Sequence, residues 1–560
     1  MNTLRANKWL LLASSVGTLV LLGVAAYREN VSREWRRLQR DYAAKLPPAQ
    51  QAAFTVQLRQ VYNPALHASD RCISCHVGMA AGETGIKGDR VFGSHPDVVH
   101  DPLQYGCVVC HGGQGRATEQ ADAHGTAPFW PEPMLTRTAS VAGCGACHTH
   151  VAVPKLDELR HGQALVERND CLACHGLDNR GGTLRPGGAP GVQAPDLSRV
   201  GAKGYTRDWY AHHMRERAAA SGGPWRTSMG EISPQDQRLI NVFLDSRVGA
   251  PRLVDAKAVF HTLGCRGCHK IGGVGGDDGP DLSREGEKDP ARLDYTHVPG
   301  DHTLANWLGQ HFRAPGAVAP GSLMPVLGLS EEQINALVLY LQSLRRSSYP
   351  EAYWPKDRVL AQRFGAREFA ADGATLYGTF CAACHGLRGE GMRYPGMAAF
   401  PAIGNPDFLA VASDRFISAT VQHGRPGRRM PAWGAAEGGL RPAEVEAVVA
   451  HVRGFGGVAP PAESEPARWV RGNADDGQRL YAANCASCHG PQGEGKEGPQ
   501  LHNQVLLTHA TDRYLVETVR RGRRGTSMPG FANPGSAHRQ LADAEIEAIV
   551  TFLRTWEVKG

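Results

Sequence analysis

The chain of 560 residues is too long for a single hydrophobic core and implies several domains. Its formal charge of +6 comes from 61 basic and 55 acidic side chains with no basic tract among them, which excludes a nucleic-acid partner.

The first feature in chain order is an uncharged, largely apolar run from Trp9 to Tyr27, preceded by Arg5 and Lys8. It predicts a membrane-spanning helix, giving an anchor over 1–29. The alternative is a cleaved secretory signal with Val24-Ala25-Ala26 as its small-residue site, but the run is longer than the core of such a signal. Residues 30–60 are expected to form a polar helix leaving the membrane. Its arginines either make a solvated face or meet lipid phosphates. By the positive-inside rule Arg28, Arg33, Arg36, Arg37 and Arg40 would lie in the cytoplasm.

The segment 61–158 holds three copies of Cys-x-x-Cys-His: Cys72/Cys75/His76, Cys107/Cys110/His111 and Cys144/Cys147/His148. Four more follow at wider spacing: Cys171/Cys174/His175, Cys265/Cys268/His269, Cys381/Cys384/His385 and Cys485/Cys488/His489. Together they use all 14 cysteines, whereas chance placement would give roughly 0.015 copies. Each copy reads as an attachment site for c-type haem. The thiols add across the two vinyl groups, and the histidine coordinates the iron from the proximal side. Zinc sites would not need a histidine directly after the second cysteine each time. A disulfide framework would not fix the two-residue gap. Seven covalently bound haem c are expected; each oxidised haem with ionised propionates adds −1, which brings the loaded protein to about −1. Haem is joined to this motif outside the bacterial cytoplasm, so the positive-inside reading gives way. A single-pass inner-membrane protein with its C-terminal bulk in the periplasm is expected.

The trihaem segment has no Met-Pro step but carries spare histidines. Three irons need three distal ligands, expected at His95, His100 and His124, with His67, His150 and His161 in reserve.

From there a unit repeats four times, over 159–248, 252–346, 370–457 and 474–560. Each opens with a short helical segment before its motif, led by His161, Asp255, Asp372 or Asp476, and the three aspartates are expected as N-caps. Closing helices are predicted by helical spacing at Ile334, Leu337, Val338 and Leu341, at Val445, Val448, Val449 and Val452, and at Ile546, Ile549, Val550 and Leu553. Ser330-x-x-Gln333 is a capping box, and Ser233-Pro234 marks another first turn. Between motif and closing helix stand Pro195-Asp196-Leu197, Pro280-Asp281-Leu282, Pro401-Ala402-Ile403 and Pro499-Gln500-Leu501. A methionine precedes each closing helix: Met229, Met324, Met430 and Met528, the last three followed by proline. Linkers are expected at 347–369 and 455–473. The run Gly272-Gly273-Val274-Gly275-Gly276 is not a phosphate loop, since no strand precedes it and no Gly-Lys-Ser/Thr follows.

With their motif, Pro-x-Leu step, methionine and closing helix in one order, the four units resemble class I cytochrome c domains. The resemblance implies that the terminal helices cross beside the haem and that the proline carbonyl accepts a hydrogen bond from the proximal imidazole. It also implies that Met229, Met324, Met430 and Met528 supply the sixth iron ligands, with Met214, Met392 and Met397 as competitors. His212, His213, His297, His302, His311, His423 and His538 read as ordinary polar residues. The stretch from Asp70-Arg71-Cys72 through Cys110-His111-Gly112-Gly113-Gln114-Gly115 to His124-Gly125 resembles multihaem cytochromes found with membrane quinol-oxidising cytochrome b complexes.

The expected fold is mainly α and multidomain, with one N-terminal transmembrane helix, an irregular trihaem segment and four class I cytochrome c-like helical domains. The expected function is electron carriage, without substrate chemistry, from a cytochrome b-type quinol-oxidising complex to a soluble cytochrome or a terminal oxidase or reductase. The alternatives are a multihaem reductase or peroxidase with one open-coordination haem, and a cytochrome subunit of a periplasmic dehydrogenase.

Overall fold

The computed structural model describes residues 2–96, 98, 100–137, 139–148, 156–177, 180–182, 194–198, 200–203, 205–220, 232–247, 251–345, 349–462, 467–535 and 538–558. Met229 and His150 lie outside the described residues.

Helix α1 (Asn2–Asn30) has 29 residues. At 1.5 Å per residue it is about 43 Å long, more than the ~30 Å of a bilayer's hydrocarbon core. Leu10, Leu11, Leu19, Leu21 and Leu22 are all exposed on it, and no part of its apolar stretch packs on the rest of the molecule. A helix apolar on every side and covered by no protein is long and apolar enough to cross a membrane.

The polar segment after it is two helices and an extended stretch, not one helix. α2 (Glu34–Ala44) stops before Pro47-Pro48, and a second, short helix, Pro48–Ala53, follows. Two consecutive prolines cannot continue the α2 hydrogen-bond ladder. Nor is α2 solvated all round. It buries Trp35, Gln39 and Tyr42, and the Tyr42 hydroxyl donates to the Thr84 carbonyl at 2.8 Å. Of the arginines around it, Arg33 pairs with Glu29 and with Glu119.

The trihaem segment has little regular structure. Strands β1 (Val61–Asn63) and β2 (Ala68–Asp70) pair antiparallel, Val61 opposite Asp70. They deliver Asp70, fully buried, to the start of the short helix Val108–His111, where its Oδ2 accepts from the Val108 amide at 3.0 Å. A Cβ on Gly115 would sit 1.9 Å from Asp70 Oδ1, so only glycine lets the backbone pass there.

The remaining helices form crossing pairs. α3 (Leu156–Arg168) packs on α5 (Pro234–Asp245), with α4 (Arg207–Ala220) between them in sequence. α6 (Pro251–Thr262) packs on α8 (Glu331–Ser343), with α7 (Leu304–Arg313) alongside. α9 (Gly373–Phe380) packs on α11 (Pro442–Gly456), and α10 (Asp414–His423) joins them. α12 (Ala474–Asn484) packs on α14 (Asp543–Arg554), beside α13 (Asp512–Arg521). These pairs are called units 1 to 4 below.

Local signals place the helices. Ser330 and Gln333 form both bonds of the capping box, and Ser233 Oγ accepts from the Asp236 amide. Asp372 caps α9, its carboxylate accepting from the Thr375 amide at 3.1 Å. Asp255 and Asp476 do not cap. α6 begins four residues before Asp255, at Pro251, a favoured first residue, and Asn473 caps α12 by accepting from the Asp475 and Asp476 amides. The cores are shared between neighbours. Units 3 and 4 bury one continuous cluster, Val141 and Cys144 pack against the unit 2 core, and Ala258 of α6 is buried in the unit 1 core.

Candidate haem centres

All seven Cys-x-x-Cys-His copies fold as one tight turn. In each, the histidine amide donates to the carbonyl of the first cysteine at 2.8–3.1 Å. One helical turn puts residues i and i+3 on the same face, so the two thiols stand together with the imidazole next to them. The imidazoles are oriented through Nδ1. His175, His269, His385 and His489 donate to the carbonyls of Pro195, Pro280, Pro401 and Pro499 at 2.7–2.9 Å. In the first copy the acceptor is Val91, at 3.0 Å from His76. A ring whose Nδ1 donates to a carbonyl presents Nε2 as its metal-binding nitrogen. Burial also depresses the basicity of His111, His269, His385 and His489, which keeps them in the neutral, ligating form.

The thiols make no disulfide. Burial pushes Cys110, Cys265, Cys381 and Cys485 up to about 12, so they sit as neutral groups in apolar surroundings. It raises Cys144 and Cys147 as well. Zinc would want thiolates, and no cluster of three or more His, Cys, Asp or Glu suited to a metal ion occurs among the described residues. Thioether bonds to a porphyrin leave no charge on the sulfur and suit these positions.

Cys488 departs from this pattern. It is half-buried, and its sulfur accepts a hydrogen bond from the exposed Ser487 hydroxyl at 3.8 Å, so its surroundings are polar where those of Cys485 are apolar. The reason is local. Ser487 precedes the second cysteine on a one-turn helix, Ala486–His489, and no other side-chain partner of its hydroxyl occurs there. In the first motif the serine at the same place, Ser74, is buried and turns to the Arg59 backbone instead, which leaves Cys75 without that bond. A thioether sulfur keeps the lone pairs that accept from Ser487, so this setting leaves Cys488 fit as an attachment group.

The three head histidines each face a motif histidine. Ring centroids are 6.4 Å apart for His76 and His124, 6.1 Å for His111 and His95, and 6.2 Å for His148 and His100. Two imidazoles on opposite sides of one metal, bonded at about 2 Å through nitrogens about 1.1 Å from the ring centres, have centroids about 6.3 Å apart. The residues present therefore fit iron porphyrins held between paired imidazoles. Of the reserves, His67 and His161 are exposed. Met324 and Met430 lie half-buried against the cores of units 2 and 3, and Met528 is half-buried in unit 4. The loops around Met430 and Met528 are built alike: Arg425 and Arg523 amides donate to the two methionine carbonyls at 2.8 and 3.0 Å. Met397 is engaged elsewhere, its sulfur accepting from Arg429 Nη1 at 3.5 Å.

One residue that the sequence reading passed over stands in a site. His213 of α4 faces His175 with 6.2 Å between ring centroids. Its neighbour His212 is exposed and pairs with Glu216 at 3.0 Å. Two adjacent histidines on a helix look equivalent in sequence, and only the rotation of the helix separates them. The readable signal was a Trp-x-x-x-His step that occurs twice, Trp209/His213 and Trp307/His311, each pair stacked at 5.0 Å.

The motifs touch one another. The thiols of Cys72 and Cys107 lie close enough to shift each other's ionisation, as do those of Cys268 and Cys384. A Cβ on Gly143 would lie 1.8 Å from the Cys110 carbonyl oxygen, and one on Gly145 2.1 Å from that of Ser343 in α8. The membrane side is tied in as well. The Gln39 amide of α2 donates at 2.9 Å to the carbonyl of Ser74, which lies between Cys72 and Cys75.

Comparison with known proteins sets this geometry in a family context. The family described as cytochrome c oxidase, cbb3-type, subunit III matches residues 368–452 and 472–553, and the family described as cytochrome c matches 253–345. The cbb3-type cytochrome c oxidase subunit FixP of Bradyrhizobium sp. (strain ORS 278) is 33% identical over 171 residues, which cover 29% of this chain and 54% of that protein. The cbb3-type cytochrome c oxidase subunit CcoP of Rhodobacter capsulatus is 30% identical over 196 residues, covering 33% and 61%. The chain thus spans between half and two thirds of the length of these curated relatives. Among solved structures, a chain of the Kuenenia stuttgartiensis reducing HAO-like protein complex aligns with 33% of this chain at 17% identity and a TM-score of 0.23, a likeness too low to bear on the fold.

Proposed function

We propose that this chain, a membrane-anchored multihaem c-type cytochrome, holds seven haem c and carries electrons from a quinol-oxidising cytochrome b-type partner in the inner membrane to acceptors in the periplasm. Haem iron, when bound, supplies reversible one-electron exchange between its ferric and ferrous states. The protein's part is to hold each site, set its ligands and bring the sites close together. Cys72, Cys75 and His76, and their six counterparts through to Cys485, Cys488 and His489, are the attachment groups in this reading.

The observation that carries the proposal is the unbroken series of contacts that starts where the chain leaves the membrane. Gln39 grips the first motif, the first motif meets the second through Cys72 and Cys107, and the second meets the third at Gly143. The third meets unit 2 at Gly145, and unit 2 meets unit 3 through Cys268 and Cys384. Ligand type favours the same direction. Paired histidines stand at the membrane end, and Met324, Met430 and Met528 stand farther along. Thioether ligands hold iron at higher potential than imidazole pairs do. The relatives of residues 368–553 are named as oxidase subunits, which favours a terminal oxidase as acceptor over a reductase or a soluble cytochrome.

The test is purification of the full chain from its own membranes in mild detergent. Pyridine haemochrome analysis should return seven c haems per chain, and a b-type cytochrome should co-elute whose quinol reduces them. Co-elution of a quinoprotein or flavoprotein in its place would assign the chain to a periplasmic dehydrogenase. Protease added to sealed, right-side-out spheroplasts should cut the C-terminal units.

A further inference from the structure

We infer that His213, and not Met229, is the distal ligand opposite His175, which makes the unit 1 site a paired-imidazole centre set in a class I-like helical frame. The inference rests on the haem reading proposed above and names a ligand that the Met-before-closing-helix pattern does not.

Four observations converge on it. The His175–His213 ring separation of 6.2 Å lies within the 6.1–6.4 Å range of the three head pairs. His175 Nδ1 is bonded to the Pro195 carbonyl at 2.7 Å, so its Nε2 is the nitrogen that a metal shared with His213 would take. His213 is held rigidly. Tyr205, Trp209 and His213 form a stack, with Tyr205 and Trp209 centroids 3.9 Å apart and nearly parallel, and Trp209 and His213 5.0 Å apart at 8°. Such a stack locks a side chain that an exposed helix would leave free to change rotamer. The other candidate on α4, Met214, is partly buried against the unit 1 core, and so acts as a filler.

The chemical consequence is a low-potential site in unit 1. Imidazole donates to ferric iron, whereas a thioether favours the ferrous state. Unit 1 would then match the head in ligand set while matching units 2 to 4 in fold.

The experiment uses the full-length, haem-loaded protein and three variants, His213→Ala, His213→Met and Met229→Ala. The readouts are low-spin EPR signals, the red-edge methionine–iron charge-transfer band and a redox titration. His213→Ala should turn one centre in seven high-spin and open to added imidazole, which restores the low-spin signal. His213→Met should retain six-coordination, add about a third to the charge-transfer band of the three methionine sites, and raise one potential. Met229→Ala should leave the band unchanged. A loss of about a quarter of the band in Met229→Ala, with no spectral change in either His213 variant, would overturn the assignment. If His213→Ala does not accumulate, His213→Met and Met229→Ala still decide the question. Mass spectrometry of the peptide containing Cys171 and Cys174 separates the two levels. An unmodified peptide sinks the haem reading itself, whereas a modified one with a methionine signature sinks only the His213 assignment.

Discussion

Glu368 joins two cations that are otherwise out of water. Lys257 bonds its Oε2 at 2.8 Å and Arg266 bonds Oε1, with 4% and 1% of the two side chains exposed. Arg266 stands between the cysteines of the unit 2 motif and also donates to the carbonyls of Ile271 and Val274. Glu368→Gln would leave both buried cations without their shared carboxylate at the junction of units 2 and 3, at a cost of about 3–5 kcal/mol. Chemical denaturation should show that loss, and Glu368→Gln combined with Lys257→Met should recover part of it. His261 lies beside the same group, buried between Phe260 and Phe369, with neither ring nitrogen hydrogen-bonded. Burial, reinforced by Arg266 and Lys257, holds its pKa well below the ordinary histidine value. Below about pH 6.5 the unfolded chain binds a proton there that the folded chain refuses, so stability falls as pH drops, by up to ~1.4 kcal/mol per pH unit. His261→Leu should flatten that part of the stability–pH curve; an unchanged slope would place the titrating group elsewhere. Little of this was legible in the sequence. The resemblance to class I domains implied the four proline acceptors, but Val91 has no such mark, and Glu368 and His261 stand out only once units 2 and 3 are docked. The different settings of Cys485 and Cys488 were hidden for a similar reason, since a serine inside the motif can turn to the sulfur, as Ser487 does, or away from it, as Ser74 does.

At the level of elements, units 3 and 4 meet through a pseudo-twofold contact. Asn405 Nδ2 donates to the Arg524 carbonyl, and Asn503 Nδ2 donates to the Pro426 carbonyl. Phe416 of α10 packs on Tyr514 of α13 at 4.5 Å. Each pair is related by the same offset of 98 residues: 405 to 503, 426 to 524 and 416 to 514. A duplicated unit that buries the same face on its copy makes an isologous interface within one chain. One contact breaks the symmetry. Asp407 takes a forked set of bonds from the Arg524 guanidinium and amide at 2.9–3.1 Å, whereas its counterpart position is Val505. Asp407→Ala should cost about 1–3 kcal/mol, because the Arg524 amide and guanidinium lose their acceptor. Limited proteolysis in the 455–473 linker should then run faster, with haem content unchanged. The amphipathic spacing that announced α11 and α14 holds residue by residue, with Val445, Val448, Val449 and Val452 all buried in α11, whereas in α8 Val338 is only half-buried beside buried Ile334, Leu337 and Leu341. The docking of one unit on the next was not legible, because Asn405 and Asn503 read as loop polar residues until their partners are seen. The polar helix expected over 30–60 ends for a local reason, the Pro47-Pro48 pair, and α2 is not polar all round, since Trp35, Leu38 and Tyr42 stand at i, i+3 and i+7 on the face it packs.

Across the whole molecule, spatial order departs from chain order. The third motif sits in the turn Ser140–Ala146, which packs on α8 of unit 2, and Gly145 approaches Ser343 too closely for any side chain. Under the proposed function, electrons leaving the head would therefore have a direct route into unit 2 that does not pass through unit 1, although unit 1 comes next in the sequence. Unit 1 leans on α6 through Ala258, which places it beside this route. Two variants separate a linear relay of seven from a relay of six with a branch. Replacing Cys171 and Cys174 by serine removes the unit 1 attachment thiols and should leave the reduction rate of units 3 and 4 unchanged when electrons enter at the head. Gly145→Val should wedge the Ser140–Ala146 turn away from α8, costing about 1–3 kcal/mol by overpacking. It should also slow the reduction of units 3 and 4 while the head still fills at its normal rate. Stopped-flow reduction followed at the head and methionine-site wavelengths resolves the two steps. A linear relay predicts the opposite pattern, with transfer abolished by the loss of the unit 1 thiols and indifferent to Gly145. The distinction matters for what unit 1 does, since a paired-imidazole site beside the main route holds an electron at low potential without setting the pace of those that pass.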